Sequence, residues 1–177
     1  MPPDRQQWLA EVYDRLIGRL WRYALAILTD RVLAEDAIQQ AFVKLASRVA
    51  GGPIASVDSY LFIAVRNEAF RLLRARQLQY QNVDKAGKTP QTATHDLWLD
   101  PLPGVLMEEE MRLQVQDAME QLPADQREVV HLKIWENQTF KQIAEQLGIS
   151  LNTAASRYRY ATDKLERLLG PYLENDS

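Results

Sequence analysis

The feature that most restricts the fold is the spacing of apolar residues, which recur every three or four positions along most of the chain. This spacing places apolar side chains on one face of an α-helix. No segment shows the strict alternation of apolar and polar residues that indicates a β-strand. The sequence therefore predicts an all-α protein, and its 177 residues allow one domain or two small ones.

Three apolar stripes predict the helices of a front domain over residues 5–77, a bundle of three to four helices. Thr29 and Asp30 interrupt the first stripe, and the Gly-Gly-Pro sequence at 51–53 is a strong breaker after the second. Either Ser56 or Asp58 is placed to cap the third helix. We therefore expect one compact helical domain before residue 78.

Residues 78–107 have the composition of a linker. Polar residues and prolines dominate, and the apolar residues lose their helical period. A short apolar island at 97–99, centred on Trp98, interrupts this segment. We predict a loosely packed turn there, and a site that docks on a partner is the alternative.

The helical pattern returns over residues 108–170 and predicts a second domain of four helices. Three glutamates at 108–110 fall in the first turn, where the helix dipole favours negative charge. Asp125 and Glu128 have capping-box spacing and are predicted to open the next helix.

Residues 139–169 predict a helix-turn-helix. Thr139 and Gln142 form a second capping-box pattern, Gly148 allows a tight turn, and Ser150 can cap a longer helix. Ala144 is small where the two helices would cross. A short helix, a glycine turn and a longer capped helix are typical of DNA-binding proteins.

The outward face of the longer helix carries hydrogen-bonding and basic side chains, the groups that contact base edges and phosphates in a major groove. A solvated face on a plain helical hairpin is the alternative. The outward residues are Asn152, Thr153, Ser156, Arg157, Arg159, Tyr160, Asp163, Lys164 and Arg167.

Charge is divided unevenly along the chain although the net charge is only −3. Residues 1–77 carry 11 Lys or Arg against 8 Asp or Glu, whereas residues 78–110 carry 2 against 6 and residues 111–177 carry 8 against 10. We therefore expect any DNA contact to be a local basic patch, with additional affinity supplied by a partner.

Several classes of protein are excluded by composition. The chain has no cysteine, which rules out disulfides, thiolate metal sites and cysteine nucleophiles. It has only two histidines, His95 and His131, and no glycine-rich phosphate loop or metal-ligand cluster. No apolar run approaches the length of a membrane span, and the first residues do not have the pattern of a signal peptide. We predict a cytoplasmic protein that is not an enzyme and has no cofactor or metal.

Two sets of motifs, in order along the chain, resemble those of bacterial RNA polymerase sigma factors. Residues 122–130, residues 139–150 and the Thr153, Ser156, Arg157 group are similar to region 4. Residues 34–42 and 60–67 are similar to region 2 of the extracytoplasmic-function (group IV) branch. The chain departs from the family pattern at Ala154, at Ala155, where Lys or Arg is common, and at Ile63.

The resemblance implies a transcription initiation factor that binds core RNA polymerase and promoter DNA. The front domain would dock on the clamp helices of the largest subunit and capture the melted minus-10 element. The back domain would bind the duplex minus-35 element and the flap of the second-largest subunit. An anti-sigma factor is a further partner that the family makes possible.

The resemblance also assigns candidate residues to each contact. The clamp contact is expected at Asp36, Gln39 and Gln40. The melted strand is expected at Tyr60, Arg66, Asn67, Arg71 and Arg74. The duplex is expected at Lys133, Asn152, Thr153, Ser156, Arg157 and Tyr160.

A second function is compatible with the helix-turn-helix alone. A repressor of this class would dimerise and bind a palindromic site without polymerase. Tight binding of the free protein to DNA would favour that alternative.

Overall fold

The computed structural model describes residues 4–83 and 98–174, and in these residues every regular element is an α-helix. The chain divides into two compact units, with the boundary between residues 96 and 97. The helices are α1 (Arg5–Leu28), α2 (Arg31–Ala50), α3 (Val57–Val83), α4 (Glu109–Glu120), α5 (Ala124–Ile134), α6 (Phe140–Leu147) and α7 (Leu151–Leu173). The prediction of an all-α fold is confirmed.

The first unit is a bundle in which each of α1, α2 and α3 packs against the other two. The residues at its centre are fully buried and lie on the predicted apolar stripes. They include Leu16, Leu20, Leu45 and Leu61. Tyr23, which was not on a predicted stripe, is also fully buried. Burial of such side chains stabilises a fold by about 1.5–3 kcal/mol each.

The junction between α1 and α2 is fixed by caps on both sides. Thr29 adopts a left-handed conformation (φ 52°) and donates its N–H to the Leu25 carbonyl (2.8 Å), which ends α1. Asp30 then accepts from the Leu33 N–H (3.0 Å) and starts α2. Arg76 of α3 pairs with Asp30 (3.5 Å), so the third helix also holds this corner.

The third helix begins at one of its two predicted caps but ends beyond its predicted limit. Ser56 is the N-terminal cap, because its hydroxyl accepts the Ser59 N–H (3.2 Å), whereas Asp58 pairs with Arg15 (2.8 Å). At its other end, the helix continues to Val83, so the prediction that residues 78–83 belong to a linker is wrong. These residues are polar, but Gln and Leu are good helix formers and no Gly or Pro interrupts them.

The second unit is built on α7, which packs against α4, α5 and α6. Its buried residues include Met119, Val129, Leu132, Ile143 and Ala161. The capping box predicted at Asp125 is wrong. Helix α5 begins one residue earlier, at Ala124, with Pro123 in the cap position and no side-chain cap. Asp125 therefore lies inside the first turn, where it pairs with Arg157.

The apolar island at Trp98 does not form the loosely packed turn that we predicted. Trp98 and Leu99 are buried, and the side-chain oxygen of Gln116 accepts both of their backbone N–H groups (2.7 and 3.1 Å). The segment therefore docks on α4. Leu97 and His95, with the rest of 84–97, lie outside the described residues.

Candidate nucleic-acid interface

The helix-turn-helix of the second unit has the local geometry that the sequence predicts. Thr139 accepts the Gln142 N–H (3.2 Å) while the Gln142 side chain accepts the Thr139 N–H (2.8 Å), which completes the capping box. Gly148 ends α6 in a left-handed conformation (φ 65°), and Ser150 caps α7 by accepting the Thr153 N–H (3.0 Å). Both helix ends next to the turn are therefore fixed by hydrogen bonds.

The buried residues of α7 define which of its side chains face outward. Ala154 and Ala161 are fully buried and mark the inner face. At 100° per residue, Asn152, Ser156 and Arg159 lie near the opposite side. Asn152 and Arg159 are exposed, and Ser156 is half-buried. This is the face available to a duplex.

Arg157 occupies a different position from the one we predicted. It lies only about 60° from the centre of the inner face. Its side chain is half-buried, and its Nε lies 3.3 Å from an Asp125 carboxylate oxygen in α5. In this structure Arg157 joins α7 to α5.

The other predicted duplex residues differ in their exposure and in the contacts that their side chains make. Tyr160 is 55% exposed, and the Arg159 guanidinium lies 5.2 Å from the centre of its ring. The Thr153 hydroxyl is hydrogen-bonded to the Ser150 hydroxyl (2.8 Å) within the cap. Lys133 belongs to α5 rather than α7, and its ammonium lies over the Phe140 ring (4.9 Å).

Arg159 is an exposed residue of this face that was not among the predicted duplex contacts. The helical period placed it on the outward face, but it is not part of the motif that carries the family resemblance. The structure leaves it exposed near the centre of that face. Counting 100° per residue from the buried alanines would have given Arg159 priority over Arg157.

Four of the five residues predicted for the melted strand share one face of α3. Tyr60, Asn67, Arg71 and Arg74 fall within about 60° of one another around the helix. Asn67, Arg71 and Arg74 are exposed, and Tyr60 is half-buried. Arg66 lies about 100° away from Asn67, and its guanidinium stacks on Phe70 (4.7 Å).

A buried carboxylate next to this face, that of Glu68, pairs with one of its arginines. Glu68 is only 4% exposed, and it accepts hydrogen bonds from Lys44 of α2 and from Arg71 (2.8 Å). Burial alone would raise the pKa of Glu68, but the bonds and charges of Lys44 and Arg71 outweigh it, so that the pKa lies below its usual value. Glu68 therefore stays ionised and fixes the position of Arg71.

One of the three residues predicted for the clamp contact, Gln39, lines an apolar groove. Gln39 and Gln40 are exposed on α2, and Asp36 is half-buried. The groove between α1 and α2 includes Gln39 in its wall, and its floor is aromatic and aliphatic. The apolar lining residues are Tyr13, Ile17, Trp21, Ile38, Phe42 and Val43.

A second apolar groove lies in the other unit, between the start of α4 and the end of α7. Its apolar residues include Met111, Val115, Leu169 and Tyr172, and the neighbouring Leu106 and Leu173 are exposed. Glu108 and Glu110 also line the groove. An apolar floor with an acidic edge suits a partner helix that is apolar on one side and basic beside it.

The described residues contain no group of three or more His, Asp or Glu arranged to hold a metal ion. None of the helices described is both long and apolar enough to cross a membrane. The principal surfaces of interest are thus the polar faces of α3 and α7 and the two apolar grooves.

Two helical units, one of which carries a capped helix-turn-helix with a polar outer face, have the architecture of a DNA-binding protein. Comparison with known families agrees. The family model of sigma-70 region 2 matches residues 12–79, and that of sigma-70 region 4 matches residues 112–165.

Relatives identify the branch of this family. The chain is 31% identical over 160 residues to the ECF RNA polymerase sigma factor SigL of Mycobacterium tuberculosis, covering 89% of this chain and 86% of SigL. It is 25% identical over 163 residues to ECF sigma factor SigK of Mycolicibacterium vanbaalenii, covering 91% and 81% of the two chains. Its fold is similar to that of the sigma factor RpoE, solved with the anti-sigma factor NepR from Bartonella quintana. The TM-score is 0.70 at 22% identity, covering 91% of this chain and 96% of RpoE.

The chain belongs to the ECF family of RNA polymerase sigma factors. Proteins of this family recognise DNA, and this one directs transcription initiation together with core RNA polymerase.

Proposed function

We propose that the two units divide the work of initiation between them. Residues 5–77 bind core polymerase and capture the melted minus-10 element, and residues 108–170 bind the duplex minus-35 element. The segment 78–107 joins them, with 78–83 extending α3. The observation that carries this proposal is the exposed polar face of α7 beside a turn fixed by caps on both sides.

The duplex contact is supported by the face that α7 presents. Asn152 and Ser156 offer hydrogen-bonding groups to base edges, and Tyr160 offers an aromatic ring and a hydroxyl. Thr153 and Lys133 flank this face, and Arg159 joins the proposed contacts as a phosphate or base ligand. Arg157 contributes by holding α7 against α5.

The contact with a melted strand is supported by the shared face on α3. An aromatic ring at Tyr60 can stack on an unpaired base, and the Asn67 amide can form hydrogen bonds with its edge. Arg71 and Arg74 supply positive charge for the phosphates, and Arg66 flanks them from the side. Glu68 keeps Arg71 in a defined position.

The clamp contact is supported by the groove between α1 and α2. Its aromatic floor provides apolar area, while Asp36, Gln39 and Gln40 provide polar contacts along α2. We expect Asp36→Arg to weaken binding to core polymerase. Glu11→Arg, an equal charge reversal on the opposite side of α1 from Tyr13, is the matched control. Equal co-purification of both variants with polymerase would argue against this surface.

The groove between α4 and α7 is our proposed contact for the flap of the second-largest subunit, because it is apolar and has an acidic edge.

The structure of RpoE with NepR supports a further partner, an anti-sigma factor, for this chain. Such a factor would inhibit initiation by occupying the polymerase-binding surfaces. Competition between it and core polymerase for the purified chain would be the test.

In this proposal the chain contributes recognition and no catalytic step, because RNA synthesis belongs to the polymerase. Its place of action is then the cytoplasm, where polymerase and DNA are found. It also requires no cofactor.

Run-off transcription tests the whole proposal. Purified core polymerase is incubated with fragmented genomic DNA, with and without the protein, and transcript starts are mapped. We expect specific starts only with the protein present, and these starts also reveal the promoter sequence. The repressor alternative predicts no such starts, together with tight gel-shift binding of the free protein to a palindromic site.

A further inference from the structure

The segment before α4 is attached to the second unit by a set of contacts that none of the proposed DNA or polymerase surfaces uses. We name this set the Trp98 clasp: Trp98, Leu99, Arg112, Gln116 and Glu120. Trp98 is 8% exposed, and its indole N–H donates to a Glu120 carboxylate oxygen (2.8 Å). The Leu99 carbonyl accepts from the Arg112 guanidinium (2.8 Å).

Gln116 is the centre of the clasp. It is fully buried, and its side-chain oxygen accepts the N–H groups of two consecutive residues, Trp98 and Leu99. Buried polar groups are costly unless they are paired, so a fully buried glutamine with this pairing indicates a specific attachment. A chain passing loosely over α4 would not need it.

Because of the clasp, the chain is attached to the second unit from Trp98 onward and not only from the start of α4, so the connection between the two units is shorter. Val83 ends α3, and 14 residues (84–97) separate it from Trp98, whereas 25 residues (84–108) separate it from Glu109. Since a chain spans at most 3.3–3.6 Å per residue, the reach is about 50 Å with the clasp closed and about 85 Å with it open.

We propose that the Trp98 clasp stays closed in the polymerase-bound protein and, by shortening this connection, narrows the range of spacings accepted between the two promoter elements. The inference rests on the proposed function of the two units. Trp98 acts here as a positioning residue, because it touches neither DNA nor polymerase in the proposal. The effective concentration of a tethered site falls as roughly the −3/2 power of tether length, so opening the clasp lowers it about twofold.

The experiment measures run-off transcription on a spacer series. The strongest promoter found with the wild-type protein is rebuilt with its two elements moved apart or together one base pair at a time. Three variants are compared with wild type. Trp98→Ala opens the clasp, an insertion of 11 Gly and Ser residues after Pro90 restores the open length while leaving the clasp intact, and Pro101→Ala is the control at an exposed neighbour.

We expect Trp98→Ala and the insertion to flatten the spacer profile alike, lowering the preference for the best spacing about twofold. Pro101→Ala should match wild type. An unchanged profile for the insertion overturns the proposal, and so does a profile of unchanged shape for Trp98→Ala when circular dichroism shows that this variant is folded. The insertion keeps the test decisive even if Trp98→Ala impairs folding. Absence of any specific wild-type transcript would instead refute the proposed function.

Hydrogen exchange provides a test that does not depend on transcription. The amides of Trp98 and Leu99 should be protected in the free protein and remain protected when core polymerase is added. Loss of protection on polymerase binding would show that the clasp opens and would overturn the proposal. Trp98→Phe should retain most of the protection, since only the Glu120 bond is removed.

Discussion

Helices α3 and α7 each present a polar face that we propose contacts DNA, but their arginines pair with carboxylates in different ways. On α3, Arg71 shares a buried carboxylate, Glu68, with Lys44, so two positive charges meet one negative charge. On α7, Arg157 pairs with a single, partly exposed carboxylate, Asp125. The α3 cluster therefore keeps a net positive charge, whereas the α7 pair is neutral.

This difference distinguishes two environments for an arginine on a helix that we propose contacts DNA. Arg71 is exposed although it pairs with Glu68, so its positive charge can still attract a phosphate. Arg157 pairs with Asp125 of another helix, whereas Arg159 is exposed on the outward face of α7. The following substitutions separate the two situations.

The largest effect is expected at Glu68. Glu68→Gln removes the charge that holds Lys44 and Arg71, and we expect the free energy of unfolding to fall by about 1–2 kcal/mol at neutral pH, because both partners are half-exposed. Since the pKa of Glu68 is lowered by folding, its contribution is complete above the unfolded value of 4.5 and is lost as the pH falls through the folded value.

Chemical denaturation of the wild type and Glu68→Gln at several pH values measures this effect. The difference between the two proteins should shrink as the pH falls below 4.5. A difference that stays constant into acid would contradict the role of the Glu68 charge. Glu35→Gln, on the exposed surface of α2, is the control.

Arg159→Ala should give the next largest effect, on DNA rather than on stability. Loss of a base or phosphate contact on the outer face of α7 should weaken promoter binding by the holoenzyme about fivefold or more. The slope of log affinity against log salt concentration should fall by about 0.9 if the contact is to phosphate. Unchanged promoter binding would remove Arg159 from the interface.

Arg157→Ala should mainly affect the second unit's stability. We expect a loss of up to about 1 kcal/mol, since its pair with Asp125 is partly exposed. A double-mutant cycle with Asp125→Ala isolates the pair, because the two single losses should not add. If Arg157→Ala leaves stability intact and reduces promoter binding as much as Arg159→Ala does, the contrast between the two arginines fails.

Ala155→Arg should give the smallest effect, a gain. Ala155 is half-buried beside the outer face, at the position where the family commonly has a basic residue. A new phosphate contact there should raise the salt slope of promoter binding by about 0.9. Ala155→Gln is the uncharged control of similar reach, and an equal effect from both would indicate that charge is not the cause.

Sequence reasoning succeeded where the signal is local. The Thr139 capping box, the left-handed Gly148 and the Ser150 cap each depend on residues within four positions of one another, and the structure confirms them. The apolar periods of α1 and α2 likewise gave the helices of the first unit.

It failed where a distant contact decides the outcome. Asp125 resembles a cap, but its partner is Arg157, 32 positions further along the chain. Trp98 lies in a polar segment without periodicity, and only its burial against Gln116 shows that it is attached. Pairings of this kind cannot be obtained from spacing, because nothing in the neighbouring residues specifies the partner.

The capped turn between α6 and α7 also bears on how such proteins diversify. Thr139, Gln142, Gly148 and Ser150 fix the two helix ends at the turn, and Ala154 and Ala161 pack the inner face of α7. The exposed positions of α7 therefore contribute little to the core. Mutation can therefore exchange those positions at little thermodynamic risk, and descendants of one ancestral scaffold can acquire new target genes while their architecture is inherited unchanged.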